Sequence, residues 1–274
     1  MPRVLILSSY VAASRVGGGM QALALARLGI EPVLVPTVIF GRHPGHGAPG
    51  GAAVEADVFE SVLGAVEAQG AFAGLDAAIT GYFASAQQVA IAAESLVRVR
   101  TASPAARLVV DPIMGDEESG LYVREPVAEA LADELLPLAD LIAPNAWELA
   151  RLAGRPASEP AAAVAAARGL GKPALVSSVR AGEAIGVVYA TKERAWLASH
   201  PRAAAAPKGT GDLLTALFVA GLLHERPGEE ALAFAVGAVA EAVEQAAGAP
   251  EFPIAAMPAD LRVSGRVGIA ALDA

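Results

Sequence analysis

Short apolar runs that favour strands alternate along this chain with longer, alanine-rich stretches that favour helices. Strands are predicted at Val4–Leu7, Val33–Val35, Ala77–Thr80, Leu108–Val110, Leu141–Ile142 and Ala174–Ser177. Helices are predicted at Gly18–Leu28, Val54–Gln69, Ser85–Arg100, Pro126–Leu136, Trp147–Ala153, Pro160–Gly169, Gly211–His224 and Glu229–Ala246. This alternation predicts βαβ units and a mostly parallel sheet in an α/β fold. Because the strands are almost continuously apolar, helices are expected on both faces, giving three α/β/α layers.

Two further runs have a different pattern. Ala184–Tyr189 and Ala195–His200 flank the polar turn Thr191–Arg194, which predicts an antiparallel hairpin at the edge of the sheet. The stretch Gly41–Ala52 holds five Gly, two Pro and two His, which is typical of a loop that covers a binding site. Because no linker interrupts the sequence, we expect one domain over residues 1–274.

The composition excludes several classes of protein. The chain contains no cysteine, so disulfides and thiolate metal sites are excluded, as suits a reducing cytoplasm. The longest apolar run, Leu213–Leu223, is too short to cross a bilayer, which takes roughly 20 residues. Residues 1–7 lack the long apolar segment and cleavage site of a signal peptide. We therefore expect a cytoplasmic protein with no membrane partner.

The net charge of −9 indicates which ligands the chain can attract. The sequence has no cluster of Lys and Arg, so neither nucleic acid nor an anionic membrane surface is an expected partner. An anionic ligand such as a nucleotide would have to be bound by local groups. Backbone amides, a helix N-terminus and a metal ion are the available means.

Gly209, Thr210, Gly211 and Asp212 precede a long apolar helix. The two glycines allow a tight turn whose amides approach a ligand, and the positive end of the helix dipole points to the same place. Asp212 in the first turn could then accept a proton from a substrate hydroxyl. The alternative is an ordinary acidic helix start after a glycine-rich turn.

Two other motifs follow predicted strands. Asn145 and Glu148 open a helix after Ala143, with a spacing that fits either a magnesium site or a capping box, and both can hold at once. Asp111 follows another strand and is suited to a phosphate-bound metal or to a simple Asp-Pro turn. Ligands bind where the strands of α/β sheets end, so these loops are expected to converge at one sheet edge.

Together these motifs resemble the ribokinase superfamily, and most closely its pyridoxal kinase branch. The Gly-x-Gly-Asp anion hole and base of that superfamily is matched by Gly209, Gly211 and Asp212. Its Asn-x-x-Glu magnesium motif is matched by Asn145 and Glu148. The features particular to the branch are matched, in chain order, by Ser9, Val16, Gly17, Thr37, His43, Gly81, Tyr82, Asp111, Pro112, Met114 and Gly115.

The resemblance implies a ribokinase-like fold and an ATP-dependent kinase of vitamin B6 salvage that phosphorylates the 5′-hydroxymethyl group of pyridoxal. Asp212 is implied as the base, Gly209–Gly211 as the anion hole, and Asp111 and Glu148 as ligands of Mg²⁺, with K⁺ also used in many members. The implied pyridoxal contacts are Ser9, Val16, Thr37, His43, Tyr82 and Asp212. The implied ATP contacts are Asp111, Ala143, Asn145, Glu148, Ser177, Ser178, Gly209, Thr210 and Gly211. A homodimer is the usual assembly.

The sequence departs from this family at a few positions. Pro44 stands where a substrate-binding Thr is frequent, and Ser177 or Ser178 stands where a Lys near the phosphates is common. These departures favour one alternative, a B6-binding protein without turnover. Another alternative is a hydroxymethylpyrimidine kinase, although that branch usually carries Cys at the position of Asp212.

Overall fold

The computed structural model describes residues 1–203, 205–246, 248–249, 251–252 and 267–272. The chain divides into two compact units, Met1–Leu141 and Ile142–Ala274. The single domain over 1–274 stays a prediction. Each unit is built on strands and helices of the α/β class, with mostly parallel strands in the first unit.

The first unit contains strands in the order β3-β2-β1-β4-β5. Their bounds are β1 Arg3–Val11, β2 Glu31–Phe40, β3 Gly51–Ala53, β4 Ala77–Thr80 and β5 Arg107–Val110. Neighbouring strands are parallel except for β3, which pairs antiparallel with β2. The register aligns Leu7 with Thr80 and Thr80 with Val110, so β1, β4 and β5 reach the same edge together. The residues after these three positions are therefore neighbours.

Helices connect these strands. Their bounds are α1 Gly17–Arg27, α2 Ala56–Ala68, α3 Ala86–Ala102 and α4 Glu125–Ala130. The helix predicted over 126–136 is regular only as far as Ala130, and continues as a π turn at Leu131–Leu135 and a 3₁₀ turn at Leu136–Leu138. Pro137 has no amide hydrogen, so the α-helical ladder cannot pass through it. A short hairpin, β6 Gly115–Asp116 and β7 Gly120–Leu121, follows β5.

The remaining strands follow in the order β8-β9-β10-β11-β12, of which β8 begins at the last residue of the first unit and the others belong to the second. Their bounds are β8 Leu141–Ile142, β9 Ala174–Ala181, β10 Ala184–Ala190, β11 Ala195–Pro201 and β12 Gly268–Leu272. The β10–β11 pair confirms the predicted hairpin. Strand β12, which pairs antiparallel with β11, was not predicted. The helices of this unit are α5 Ala146–Ala153, α6 Pro160–Gly169, α7 Thr210–Leu223 and α8 Gly228–Ala246.

The predicted loop at 41–52 has internal structure. His43 caps a 3₁₀ turn at Pro44–His46, and the loop ends in strand β3. The amides of Gly41 and Arg42 both donate to Pro49 O at 3.1 Å, which closes its base. None of the helices in the described ranges is long and apolar enough to cross a membrane.

Candidate active site

The end of β1 and the start of α1 are in direct contact. Ser9 is buried, and Gly17 adopts a left-handed conformation with φ 59°. A Cβ at Gly17 would overlap Ser9 Oγ and lie 2.8 Å from Ser9 O, so only glycine allows this approach. Val16, the buried N-cap of α1, lies next to this contact. The structure thus brings together two of the predicted pyridoxal contacts, Ser9 and Val16.

Tyr82 follows β4 and is held by its backbone. Its amide donates to Ser8 Oγ at 3.2 Å, and its carbonyl accepts from Thr37 Oγ1 at 2.6 Å. The preceding residue, Gly81, donates to Leu7 O at 2.9 Å. Burial raises the pKa of the Tyr82 hydroxyl above its ordinary value, and the charge of Arg124 offsets part of the rise. The Tyr82 hydroxyl is therefore neutral at neutral pH, and hydrogen bonds hold the backbone that carries the ring.

The structure places Thr37 behind Tyr82. The threonine side chain is completely buried, and its hydroxyl donates to the Tyr82 carbonyl. This geometry gives Thr37 a bracing role that its position in the sequence did not indicate. Its direct contact with pyridoxal stays a prediction.

His43 organises the 41–52 loop. Its Nδ1 accepts from the Gly45 amide at 3.0 Å, and its own amide donates to Ser14 Oγ at 3.2 Å. Pro44 occupies the first position of the 3₁₀ turn, where the missing amide hydrogen costs nothing. The replacement of threonine by Pro44 therefore suits the local turn.

Asp111 lies directly after β5, next to Thr80 in the sheet. Its amide donates to Thr80 O at 3.1 Å, and its side chain is only 5% exposed. A carboxylate so deeply buried requires compensating partners, from protein groups or a cation. Because Leu7, Thr80 and Val110 are in register, Asp111 lies at the same edge of the first unit as Ser9 and Tyr82.

Asn145 and Glu148 form the predicted capping box at the start of α5. The Asn145 amide donates to Glu148 Oε2 at 2.8 Å, and the Glu148 amide donates to Asn145 Oδ1 at 2.9 Å. Glu148 is 3% exposed. The described residues include no group of three or more His, Cys, Asp or Glu that could hold a metal. Magnesium needs only one or two carboxylates because it keeps several waters, so the metal role stays a prediction.

Ser177 and Ser178 lie in an irregular part of β9. Ser177 forms an isolated parallel bridge with Asn145, and its amide donates to Pro144 O at 3.0 Å. The β9–β10 register shifts so that these two serines oppose Val187, which is a β-bulge. Ser178 is exposed and adopts φ 59°, which is rare for a residue with a side chain. The bulge was not predicted, and it coincides with two of the expected ATP contacts.

The glycine-rich motif at residues 209–212 forms the start of α7. Gly209 is the cap, with φ 93°, and the first helical hydrogen bond runs from Leu213 N to Gly209 O at 3.0 Å. The amides of Thr210 and Gly211 precede that bond and so have no acceptor within the helix. A Cβ at Gly211 would meet no described atom within 4 Å, so this face is open. Half-buried Asp212 lies in the same turn, at the positive end of the helix dipole.

Known proteins resemble this chain over most of its length. The family described as phosphomethylpyrimidine kinase has a model that matches residues 14–253. The pyridoxal kinase PdxY of Corynebacterium diphtheriae is 34% identical over 249 residues, covering 88% of each chain. The chain belongs to the pyridoxal kinase family. Within that family, the pyridoxine/pyridoxal/pyridoxamine kinase of Bordetella avium is 36% identical over 249 residues, covering 86% of this chain and 84% of its own.

A solved structure of the pyridoxal kinase family has the same fold. Pyridoxal kinase from Entamoeba histolytica superposes with a TM-score of 0.92 and 26% identity, covering 99% of this chain and 100% of its own. The ribokinase-like fold and the family resemblance are thereby confirmed.

Proposed function

We propose that this protein is an ATP-dependent pyridoxal kinase. It would transfer the γ-phosphoryl group of ATP to the 5′-hydroxymethyl oxygen of pyridoxal, producing pyridoxal 5′-phosphate and ADP. The observation that carries this proposal is the placement of Asp212 in the first turn of α7, beside the amides of Thr210 and Gly211. The proposal is supported by the named activity of relatives about one third identical over most of the chain.

The first unit would bind the vitamin. Ser9 offers a hydroxyl beside Val16, and Tyr82 offers an aromatic surface for the pyridine ring. His43 would contact the substrate from the 41–52 loop, and Thr37 would act mainly by holding Tyr82. The hydrogen bonds that fix the Tyr82 backbone favour a preformed surface for the ring, which lowers the entropy lost on binding.

The motif Gly209–Asp212 would accept the substrate proton and stabilise the charge that develops on the phosphoryl group. Asp212 would accept the proton of the 5′-hydroxyl group as its oxygen forms a bond to the γ-phosphorus and the bond to the ADP oxygen breaks. The amides at Gly209–Gly211 and the dipole of α7 would stabilise the negative charge that develops on the phosphoryl oxygens. The remaining proposed ATP contacts are Ala143, Asn145, Ser177 and Ser178.

Asp111 and Glu148 would hold Mg²⁺ with the ATP phosphates. Both side chains are buried carboxylates, and carboxylate oxygens are ligands that Mg²⁺ prefers. When bound, the ion would neutralise phosphate charge during transfer. Use of K⁺ and assembly as a homodimer complete the proposal. Omission of each cation in the assay, and sedimentation of the purified protein, would test these parts.

A substrate screen tests the reaction directly. The parent protein is incubated with Mg²⁺-ATP and pyridoxal, pyridoxine, pyridoxamine or hydroxymethylpyrimidine, and both ADP and the phosphorylated product are measured. We expect turnover with a B6 vitamer and little with hydroxymethylpyrimidine. Binding of pyridoxal without product in a single-turnover experiment would instead identify a B6-binding protein.

Asp212→Ala tests the proposed base. We expect an unchanged circular dichroism spectrum and a kcat lower by about 10²–10⁴-fold, as is typical when a general base is removed. Asp57 supplies a matched control, because Asp57→Ala removes an exposed carboxylate from the first turn of another helix, α2, and should leave kcat near that of the parent. An Asp212→Ala enzyme within a few-fold of the parent would remove this residue from the role.

A further inference from the structure

Gln88, in the first turn of α3, joins three separate segments of the first unit through one buried side chain. Its Oε1 accepts from the Ala84 amide at 2.9 Å. Its Nε2 donates to Thr37 O at 2.8 Å and to Val54 O at 2.6 Å. Gln88 is only 1% exposed, so water cannot replace these bonds. No sequence motif pointed to this connection, although Ser85 and Gln88 have the spacing of a capping box.

The three partners require a primary amide. Two carbonyl oxygens need a group with two N–H donors, and the Ala84 amide needs an acceptor, which together fix the orientation of the Gln88 side chain. Glutamate would direct an oxygen at two carbonyls. Methionine would remove the bonds to the Ala84 amide and the Val54 carbonyl, and would leave Thr37 O with only the Val54 amide as donor. A residue that only filled space would not need this combination of donors and acceptor.

The segments joined by Gln88 surround Tyr82. Ala84 ends the stretch Gly81–Ala84 that carries the tyrosine, and Thr37 supplies the hydroxyl that binds the Tyr82 carbonyl. Val54 follows β3, at the end of the 41–52 loop, and its amide donates to Thr37 O at 2.9 Å. One side chain therefore fixes the backbone beyond Tyr82, the strand that braces it and the end of the loop that carries His43.

We propose that Gln88 is a positioning residue for pyridoxal binding, acting through Tyr82. This inference rests on the proposed function and goes beyond it, because Gln88 itself is buried and would not touch the substrate. A displacement of a binding group by about 1 Å can cost up to about 10²-fold in activity. Gln88→Met should accordingly raise the KM for pyridoxal about tenfold or more and leave the KM for ATP unchanged.

Two comparisons separate positioning from general destabilisation. Ser103 is a buried residue of the same unit that accepts from Leu75 N at 3.1 Å and donates to Phe72 O at 2.8 Å. Ser103→Ala should lower the melting temperature without changing the KM for pyridoxal. In a Tyr82→Ala background, Gln88→Met should cause little further change in KM, because the residue through which it acts is already gone.

A second readout does not require turnover. With ¹³C-labelled tyrosine, NMR follows the ionisation of Tyr82, and the signal is assigned with Tyr82→Phe. Gln88→Met should move the pKa of Tyr82 back towards its ordinary value, because a loosened segment lets water reach the ring. The milder Gln88→Asn keeps the amide but is one methylene shorter. It should cause a smaller shift in the same direction and remains available if the methionine variant does not fold.

The outcomes are distinct. A raised KM for pyridoxal together with a shifted Tyr82 titration supports the proposal. An unchanged titration in both Gln88 variants overturns it, as does an effect of Gln88→Met that persists undiminished in Tyr82→Ala. A parent protein that phosphorylates no B6 vitamer would refute the proposed function, and the Tyr82 titration would still decide whether Gln88 positions this residue.

Discussion

Replacing Gly17 with alanine should perturb both stability and substrate binding. Gly17 has φ 59°, a conformation that costs an alanine about 1–2 kcal/mol. Its new Cβ would also overlap Ser9 Oγ and lie 2.8 Å from Ser9 O, closer than real Cβ atoms approach. Relief of such an overlap typically costs about 1–3 kcal/mol. The two contributions give an expected loss of about 2–5 kcal/mol for Gly17→Ala.

Gly29, just after the other end of α1, provides the matched control. Its φ is 73°, and a Cβ there would meet no described atom within 4 Å. Gly29→Ala therefore carries only the conformational cost of about 1–2 kcal/mol, reduced by the smaller entropy of the unfolded chain. The difference between the two variants isolates the contact with Ser9.

Urea unfolding and steady-state kinetics test this reasoning. Gly17→Ala should unfold at a clearly lower urea concentration than Gly29→Ala, and its KM for pyridoxal should rise about tenfold or more as Ser9 is displaced. Gly29→Ala should retain the KM of the parent. Equal loss of stability in the two variants, with an unchanged KM in both, would refute the proposed role of the Gly17–Ser9 contact.

Two further predictions concern Ser178 and Tyr82. Ser178→Gly should stabilise the protein by about 0.5–1 kcal/mol, because glycine adopts the left-handed conformation of Ser178 without strain. Ser177→Gly is the control and should destabilise the protein. A lower melting temperature for Ser178→Gly would contradict this reasoning. The pKa of Tyr82 is raised above 10.0 in the folded protein, so its contribution to stability is complete below pH 10 and is lost as the pH rises through the folded pKa. The parent should therefore lose more stability than Tyr82→Phe in urea unfolding above pH 10, and parallel losses would contradict the assignment.

The parts of the fold that depend on local patterns were predictable from sequence. β4 and β8 match their predicted bounds because an aspartate precedes each strand, and a glycine follows β4 while an Ala-Pro pair follows β8. β1 and β2 extend further than predicted, because Ser8 and Thr37 are polar and interrupt the apolar run while still being buried in the sheet. Burial of a serine or threonine depends on partners distant in sequence, which a local pattern does not reveal.

In the candidate site, too, the features set by neighbouring residues were predictable and those set by long-range contacts were not. The Asn145 and Glu148 capping box follows from residues three apart, and the structure confirms it. The bracing of Tyr82 by Thr37 spans 45 residues, and the bond from Gln88 to Thr37 spans 51. The bulge at Ser178 depends on the register between β9 and β10, which the identity of the serine does not determine. Long-range pairing therefore accounts for the features that the sequence did not reveal.

The closed base of the 41–52 loop has a consequence for how substrate preference can evolve. The bonds from Gly41 and Arg42 to Pro49, with the pairing of β2 and β3, hold the two ends together. Residues 44–48 between them are exposed, so substitutions there remove few buried contacts. Selection can therefore vary the tip of this loop, which we propose lies at the vitamin site, while the frame beneath remains intact.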